Sequence, residues 1–117
     1  ENKSRPDFIF PSIKLYHDEG YPADQLTMLG SKTSAKDRWR QVLEEADRIE
    51  RKHLITLEGA ISENQTNEMI SRHLQLVVPK EIHETFSESQ QSWLYSVDDF
   101  LREVRERQAF ADRYENG

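Results

Sequence analysis

The sequence predicts an α/β fold in which helices pack against a β-sheet. Two observations favour this fold. Short apolar runs bounded by turn-forming residues are typical of strands, and they recur along the chain. Between them lie segments whose apolar residues recur at helical spacing, several of them preceded by serine residues suited to cap a helix. With 117 residues, the chain is predicted to form one domain over residues 1–117.

Four apolar runs are predicted as strands, and they cover residues 7–10, 26–29, 53–57 and 74–78. The first strand is closed by Pro11 and should be a poorly covered edge strand, since it lies so near the start of the chain. Residues 12–24 are rich in turn formers and are predicted as a loop. Beyond the second strand, Gly30 lets the backbone turn or a ligand approach, and Lys32 follows.

The strongest pattern predicts a helix over residues 34–52, with Ser34 as N-cap and Asp37 three residues later. Its apolar stripe consists of Trp39, Val42, Leu43, Ala46 and Ile49. On a helical wheel Glu45 lies at the margin of this stripe, on the same flank as Arg38. Because a desolvated carboxylate is costly, Glu45 must be paired or metal-bound. Pairing with an arginine and binding a metal both fit the helix pattern.

The remaining segments predict three further helical stretches. Ser62 begins a short helix that reaches residue 72, and a helical turn covers residues 82–86. Ser96 caps the last helix, while Trp93 is assigned to a polar loop before it. The apolar stripe of the last helix is interpreted as core, with an intersubunit contact as the second interpretation.

Composition excludes several classes of function. The chain has 16 Lys and Arg against 22 Asp and Glu, for a net charge of −6, and it has no Cys. Thiolate nucleophiles, disulfides and Cys-ligated zinc are therefore excluded. No segment resembles a membrane span or a signal peptide, so a cytoplasmic protein without membrane contact is expected. The acidic excess lies in residues 54–117, whereas residues 32–40 are locally basic and can face phosphates.

Three residues stand where strands and a helix can converge: Asp7, Lys32 and Glu45. Two carboxylates at such a point can hold Mg²⁺, and a lysine can orient or activate water beside a phosphate. This combination is typical of phosphodiester hydrolysis. Acids and lysines at strand ends are also common surface residues, so the spacing alone leaves both interpretations open.

The residues around these three positions resemble the carboxy-terminal catalytic domain of EcoRII-type restriction endonucleases. The resemblance runs from residue 5 to about residue 86 and is most specific in the string Lys-Asp-Arg-Trp-Arg-Gln-Val-Leu at residues 36–43. It implies a mixed β-sheet flanked by helices with a restriction-endonuclease-like core. It also implies a PD-(D/E)XK nuclease whose second acid has migrated from the lysine strand to the following helix.

The resemblance assigns roles to individual residues. Asp7 and Glu45 match the metal ligands for Mg²⁺, and Lys32 matches the catalytic lysine. Tyr16 matches a conspicuous family tyrosine, whose alternative role is a core hydroxyl packed near the site. The implied activity is hydrolysis of double-stranded DNA within a CCWGG-like site.

The recognition element of the family matches Lys36, Asp37 and Arg38. Arginine and lysine donate to guanine, and an acid accepts from cytosine, so the triplet can read adjacent G·C pairs. Arg40 is a candidate phosphate contact. In the simpler interpretation the triplet is solvated surface, with Asp37 favouring the helix N-terminus.

The family domain extends further at its amino-terminal side, so the chain is expected to be truncated there. It is expected to be inactive by itself unless another segment completes the domain. A homodimer matched to palindromic DNA is expected. Two alternatives remain: a non-catalytic DNA-binding or scaffold module, and an acidic protein-interaction domain built on residues 54–117.

Overall fold

The computed structural model describes residues 8–117 as a mixed four-stranded sheet flanked by helices. The strands are β1 Phe8–Phe10, β2 Thr27–Ser31, β3 Lys52–Ile55 and β4 Leu74–Val77. Their order in the sheet is β1-β2-β3-β4, with β1 antiparallel to β2 and the other pairs parallel. The mixed sheet is therefore confirmed, and among residues 8–117 β1 is an edge strand, as predicted.

Five α-helices connect and cover the strands. They are α1 Ile13–Tyr16, α2 Ala35–Val42, α3 Glu63–Ser71, α4 Glu88–Trp93 and α5 Val97–Asn116. Short 3-10 helices span Ala23–Gln25 and Lys80–Thr85. No helix within residues 8–117 combines the length and apolar character that crossing a membrane requires.

The two faces of the sheet support two hydrophobic clusters, because alternate strand residues point to opposite faces. The larger cluster lies on the face covered by α2 and α3 and includes Met28, Trp39, Val42, Leu54, Met69 and Leu76. The smaller cluster combines Leu29 and Val77 with Phe100 of α5. Val97 and Val104 pack against it, so the apolar stripe of the last helix belongs to the core.

The prediction of one helix over residues 34–52 is wrong in extent. α2 ends at Val42, and the chain then turns through Ala46, whose φ is +54°. The helix must stop early because β3 begins at Lys52 and pairs beside β2, so the chain has to return to the sheet by that residue. Ala46 and Ile49 are nevertheless buried as the stripe predicted.

Two loop predictions are also corrected. The segment after β1 contains α1, whose first turn is capped by the Ser12 hydroxyl. Trp93 closes α4 instead of lying in a loop. By contrast, the predicted serine caps at Ser62 and Ser96 both accept hydrogen bonds from first-turn backbone N–H groups.

Candidate functional site

Lys32 lies where the parallel strands β2 and β3 end. Its backbone N–H donates to the Ile55 carbonyl at 3.3 Å, which holds it directly beyond β2. A cleft of about 510 Å³ opens here, lined by residues that follow the two strands, among them Lys32, Leu57 and Glu58. The lysine is therefore placed at the carboxyl edge of the sheet, where ligand sites of α/β folds commonly form.

A second cleft, of about 750 Å³, joins Lys32 to the first turn of α2. It is lined by Ser31, Lys32, Thr33, Ser34, Asp37 and Arg38. Lys36, Asp37 and Arg38 are all exposed. The structure thus brings the predicted catalytic lysine and the acid and arginine of the predicted recognition triplet into one surface depression.

In the PD-(D/E)XK pattern an acid stands two residues before the lysine. In this chain that position is Gly30, in β2. Gly30 lies on the face of β2 that α2 covers. A Cβ at Gly30 would lie 3.0 Å from Val42 Cγ2 and 3.2 Å from Val42 Cγ1. A carboxylate side chain at this position would therefore crowd the Val42 side chain and require it to shift.

Glu45 is buried, with 4% of its surface exposed, but it does not belong to a helix. It lies in the turn after α2, where its N–H donates to the Val42 carbonyl at 3.1 Å. The helical-wheel position predicted for Glu45 is therefore wrong, although its burial is as predicted.

A basic side chain close to Glu45 is Lys52, at the start of β3. Burial lowers the pKa of Lys52, while the charges of Asp47, Glu45 and Glu50 oppose that effect. Lys52 Nζ also donates to the Ile49 carbonyl at 2.6 Å. The charges of Asp47, Glu45 and Glu50 together thus favour the protonated form of Lys52 at the start of β3.

Tyr16 belongs to a hydrogen-bonded network centred on Arg48. The tyrosine hydroxyl accepts from the Arg48 N–H at 3.3 Å, and the guanidinium donates to the Tyr16 carbonyl. The same guanidinium donates to the carbonyls of Asp18 and Tyr21. In this network Tyr16 helps to hold the segment between α1 and β2.

Arg40 points towards α3, away from the cleft that contains Arg38. Its guanidinium forms an ion pair with Glu68 and lies 4.4 Å from the centre of the Trp39 ring. Both arginines are exposed, but the Arg40 guanidinium is held by Glu68 and Trp39.

The proposed metal ligand Asp7 lies outside the described residues 8–117. Within that range, no group of three or more His, Asp or Glu residues is arranged to hold a metal ion. The pairing of Asp7 with Glu45 therefore stays a prediction.

Two groups of polar contacts were not predicted from the sequence. Glu58, in the loop after β3, accepts from the Lys36 N–H at 2.9 Å and so reaches the first turn of α2. Glu103 of α5 accepts hydrogen bonds from Arg51 and Tyr95, and His53 Nε2 lies 3.0 Å from it. The contacts from Lys36 to Glu58 and from Arg51 and His53 to Glu103 have no sequence signature, because each joins residues more than 20 positions apart.

Comparison with known proteins identifies the family. A family profile described as EcoRII C terminal matches residues 1–101. The type II restriction enzyme EcoRII of Escherichia coli is 42% identical over 104 residues, which cover 89% of this chain and 26% of that enzyme. The chain therefore spans only a minor part of this relative.

Solved structures show the same fold. Two structures of metal-depleted Ecl18kI, with uncleaved DNA and with uncleaved, modified DNA, each match with a TM-score of 0.73 and 22% identity. Each match covers 87% of this chain and 34% of the other. The restriction-endonuclease-like core is thereby confirmed, and the chain belongs to the family of EcoRII carboxy-terminal domains.

Proposed function

We propose that this chain is the catalytic part of a Mg²⁺-dependent, site-specific endonuclease that hydrolyses double-stranded DNA within a CCWGG-like site. The observation that carries the proposal is the cleft shared by Lys32, Asp37 and Arg38. It places a cation suited to a scissile phosphate beside side chains suited to base edges. The relatives support it, since EcoRII is a type II restriction enzyme and the Ecl18kI structures contain DNA.

The carboxylates of Asp7 and Glu45 fit Mg²⁺ by their chemistry, because this hard cation prefers oxygen ligands. Gly30 supports the same assignment, since the strand has no room for an acid beside Val42. Bound Mg²⁺ would neutralise charge that develops on the phosphate and activate a water molecule.

The roles of the remaining side chains follow from where they lie. Lys32 is half-buried and lines both clefts at the end of the parallel strands, where its ammonium can pair with a phosphate oxygen. Arg38 and Lys36 are exposed donors for guanine, and Asp37 is an acceptor for cytosine N4. Reading a palindromic duplex symmetrically requires two copies of this surface, so the active protein is proposed to be a cytoplasmic homodimer.

The test is cleavage of a plasmid that contains CCWGG sites by the complete protein, followed during Mg²⁺ titration for wild type, Asp7→Ala and Glu45→Gln. Removing either ligand should slow cleavage by about a hundredfold or more, as the loss of a group that acts in the transition state does. Lys80→Ala, an exposed lysine in a 3-10 helix, is the control and should cleave normally. Unchanged cleavage by Asp7→Ala and Glu45→Gln would contradict the assigned site.

A non-catalytic DNA-binding module is the alternative, and the closeness of Glu45 to Lys52 favours it. In that case Glu45 acts as the counter-ion of a buried lysine. DNA binding would then be indifferent to Mg²⁺, and wild type would not cleave the plasmid at any Mg²⁺ concentration.

A further inference from the structure

The first turn of α2 has an unusual cap. Ser34 occupies the N-cap position with φ −113° and ψ 75°, and its side chain makes no cap hydrogen bond. The predicted capping box of Ser34 and Asp37 is therefore not formed. Instead the Lys36 N–H donates to the Glu58 carboxylate at 2.9 Å, across 22 positions of sequence. A carboxylate is well suited to this place, because unpaired N–H groups and the helix dipole make a helix N-terminus positive.

The loop that carries Glu58 is held firmly on both sides. Thr56 is buried, and its N–H donates to the Val77 carbonyl at 3.1 Å. Its hydroxyl then accepts from the Glu58 N–H at 3.1 Å, which fixes the backbone at the point where the carboxylate leaves it. This anchors Glu58 to the end of the central strands.

The following residues anchor the loop to the 3-10 helix Lys80–Thr85. The Ala60 N–H donates to the Thr85 hydroxyl at 3.0 Å. A Cβ at Gly59 would lie 2.6 Å from the same oxygen, so a side chain there would displace the loop. Glu58 is therefore presented to α2 from a fixed base.

The residues next to this cap are the proposed readers of DNA. Lys36 is the residue whose N–H is held, and Asp37 and Arg38 follow it in the same helical turn. Base readout depends on fixed donor and acceptor positions, because a bidentate contact tolerates little displacement. We infer that Glu58 is a positioning residue for sequence recognition, which orients the Lys36–Asp37–Arg38 turn through the Lys36 backbone. This inference rests on the proposed function.

The test compares Glu58→Ala, which removes the acceptor, with Glu58→Gln, which keeps an acceptor oxygen without the charge. The readout is the ratio of Kd values for a CCWGG duplex and a duplex with one G·C pair changed, measured in Ca²⁺ to prevent cleavage. Expressed as the Kd of the changed duplex divided by the Kd of the CCWGG duplex, this ratio should fall about tenfold in Glu58→Ala and stay within about threefold of wild type in Glu58→Gln. Glu84→Ala, an exposed glutamate of the neighbouring 3-10 helix, is the control.

A second measurement keeps the inference independent of overall stability. The Lys36 amide should exchange faster with solvent in Glu58→Ala, whereas the Gln65 amide, capped by Ser62 in α3, should not change. An unchanged discrimination ratio in Glu58→Ala would overturn the inference while leaving the proposed function standing, and so would equal loss in both Glu58 variants. If wild type itself does not prefer the CCWGG duplex, the proposed function fails first.

Discussion

Arg38 and Arg40 lie two residues apart in the sequence but in different surroundings. Arg38 is exposed at the cleft beside Lys32. Arg40 forms an ion pair with Glu68 and stacks over Trp39. The resemblance assigns Arg38 to the recognition element and leaves Arg40 as a candidate phosphate contact, but it does not show where the Arg40 side chain lies. Both arginines are exposed, but Arg38 lines the cleft whereas Arg40 is held by Glu68 and Trp39.

Substitution of these two arginines by alanine should therefore have different effects. Arg38→Ala should relax discrimination at one G·C pair by about 1–3 kcal/mol, because a base contact is lost. Arg40→Ala should leave discrimination between duplexes unchanged and lower stability by about 0–1 kcal/mol, since its ion pair with Glu68 is exposed. Binding to cognate and single-substitution duplexes measures the first effect, and urea unfolding measures the second. Equal loss on every duplex for Arg38→Ala would show that it contacts phosphate.

At the scale of elements, the sequence pattern of α2 predicted which residues are buried but not where the helix ends. The apolar spacing correctly predicted that Trp39, Val42 and Ile49 are buried. It could not show that two different segments supply this face, because no Gly or Pro marks the end of α2. The stop is set by the pairing of β3 with β2, which is a long-range constraint.

The candidate site, like α2, was predictable from the sequence only in part. The strand end at Lys32 and the helix start at Asp37 and Arg38 follow from local patterns. The contact from Glu58 does not, since it depends on how the loop after β3 lies against α2.

The contact between Gly30 and Val42 gives a prediction for these two elements. Gly30→Asp should destabilise the protein by about 2–3 kcal/mol, because the side chain meets Val42 and its charge is desolvated. It should also fail to restore cleavage to Glu45→Gln. In a Val42→Ala background, Gly30→Asp should lower stability by less than it does in wild type, since the shorter side chain leaves room for the carboxylate. Thermal unfolding measures the stabilities, and plasmid cleavage measures the activity. A Gly30→Asp variant as stable as wild type would show that α2 can shift at little cost.

At the scale of the whole molecule, α5 ties distant parts of the chain together. Its Glu103 binds Arg51, and its Arg107 donates to the Thr27 hydroxyl at 3.1 Å. Near its end, Tyr114 donates to the Asp18 carboxylate at 2.9 Å. Polar side chains along α5 thus fasten this long helix to β2 and to the segments before β2 and β3.

The Glu103 contacts predict how stability depends on pH. Burial alone would raise the pKa of Glu103, but the hydrogen bond from His53 and the charge on Arg51 lower it from 4.5 to about 2. Because the pKa is lower in the folded state, this contribution is present above pH 4.5 and is lost as the pH falls towards 2. Burial also lowers the pKa of His53 in the folded state. Protonation of His53 below pH 6.5 therefore favours the unfolded state, and stability falls with pH at this residue too.

Urea unfolding of wild type and Glu103→Gln at several pH values tests this account. Above pH 4.5 the variant should be less stable by about 2–3 kcal/mol. The difference should shrink as the pH falls from 4.5 to 2. A difference that stays constant over this range would show that Glu103 contributes by packing and not by charge.

The central claim is that Lys32 acts on the phosphate within the cleft that also reads the bases. Its most direct test measures binding and cleavage separately for Lys32→Ala. We predict that this variant binds a CCWGG duplex in Ca²⁺ within about threefold of wild type, but cleaves it in Mg²⁺ at least about a hundredfold more slowly. Wild-type cleavage by Lys32→Ala would contradict the claim.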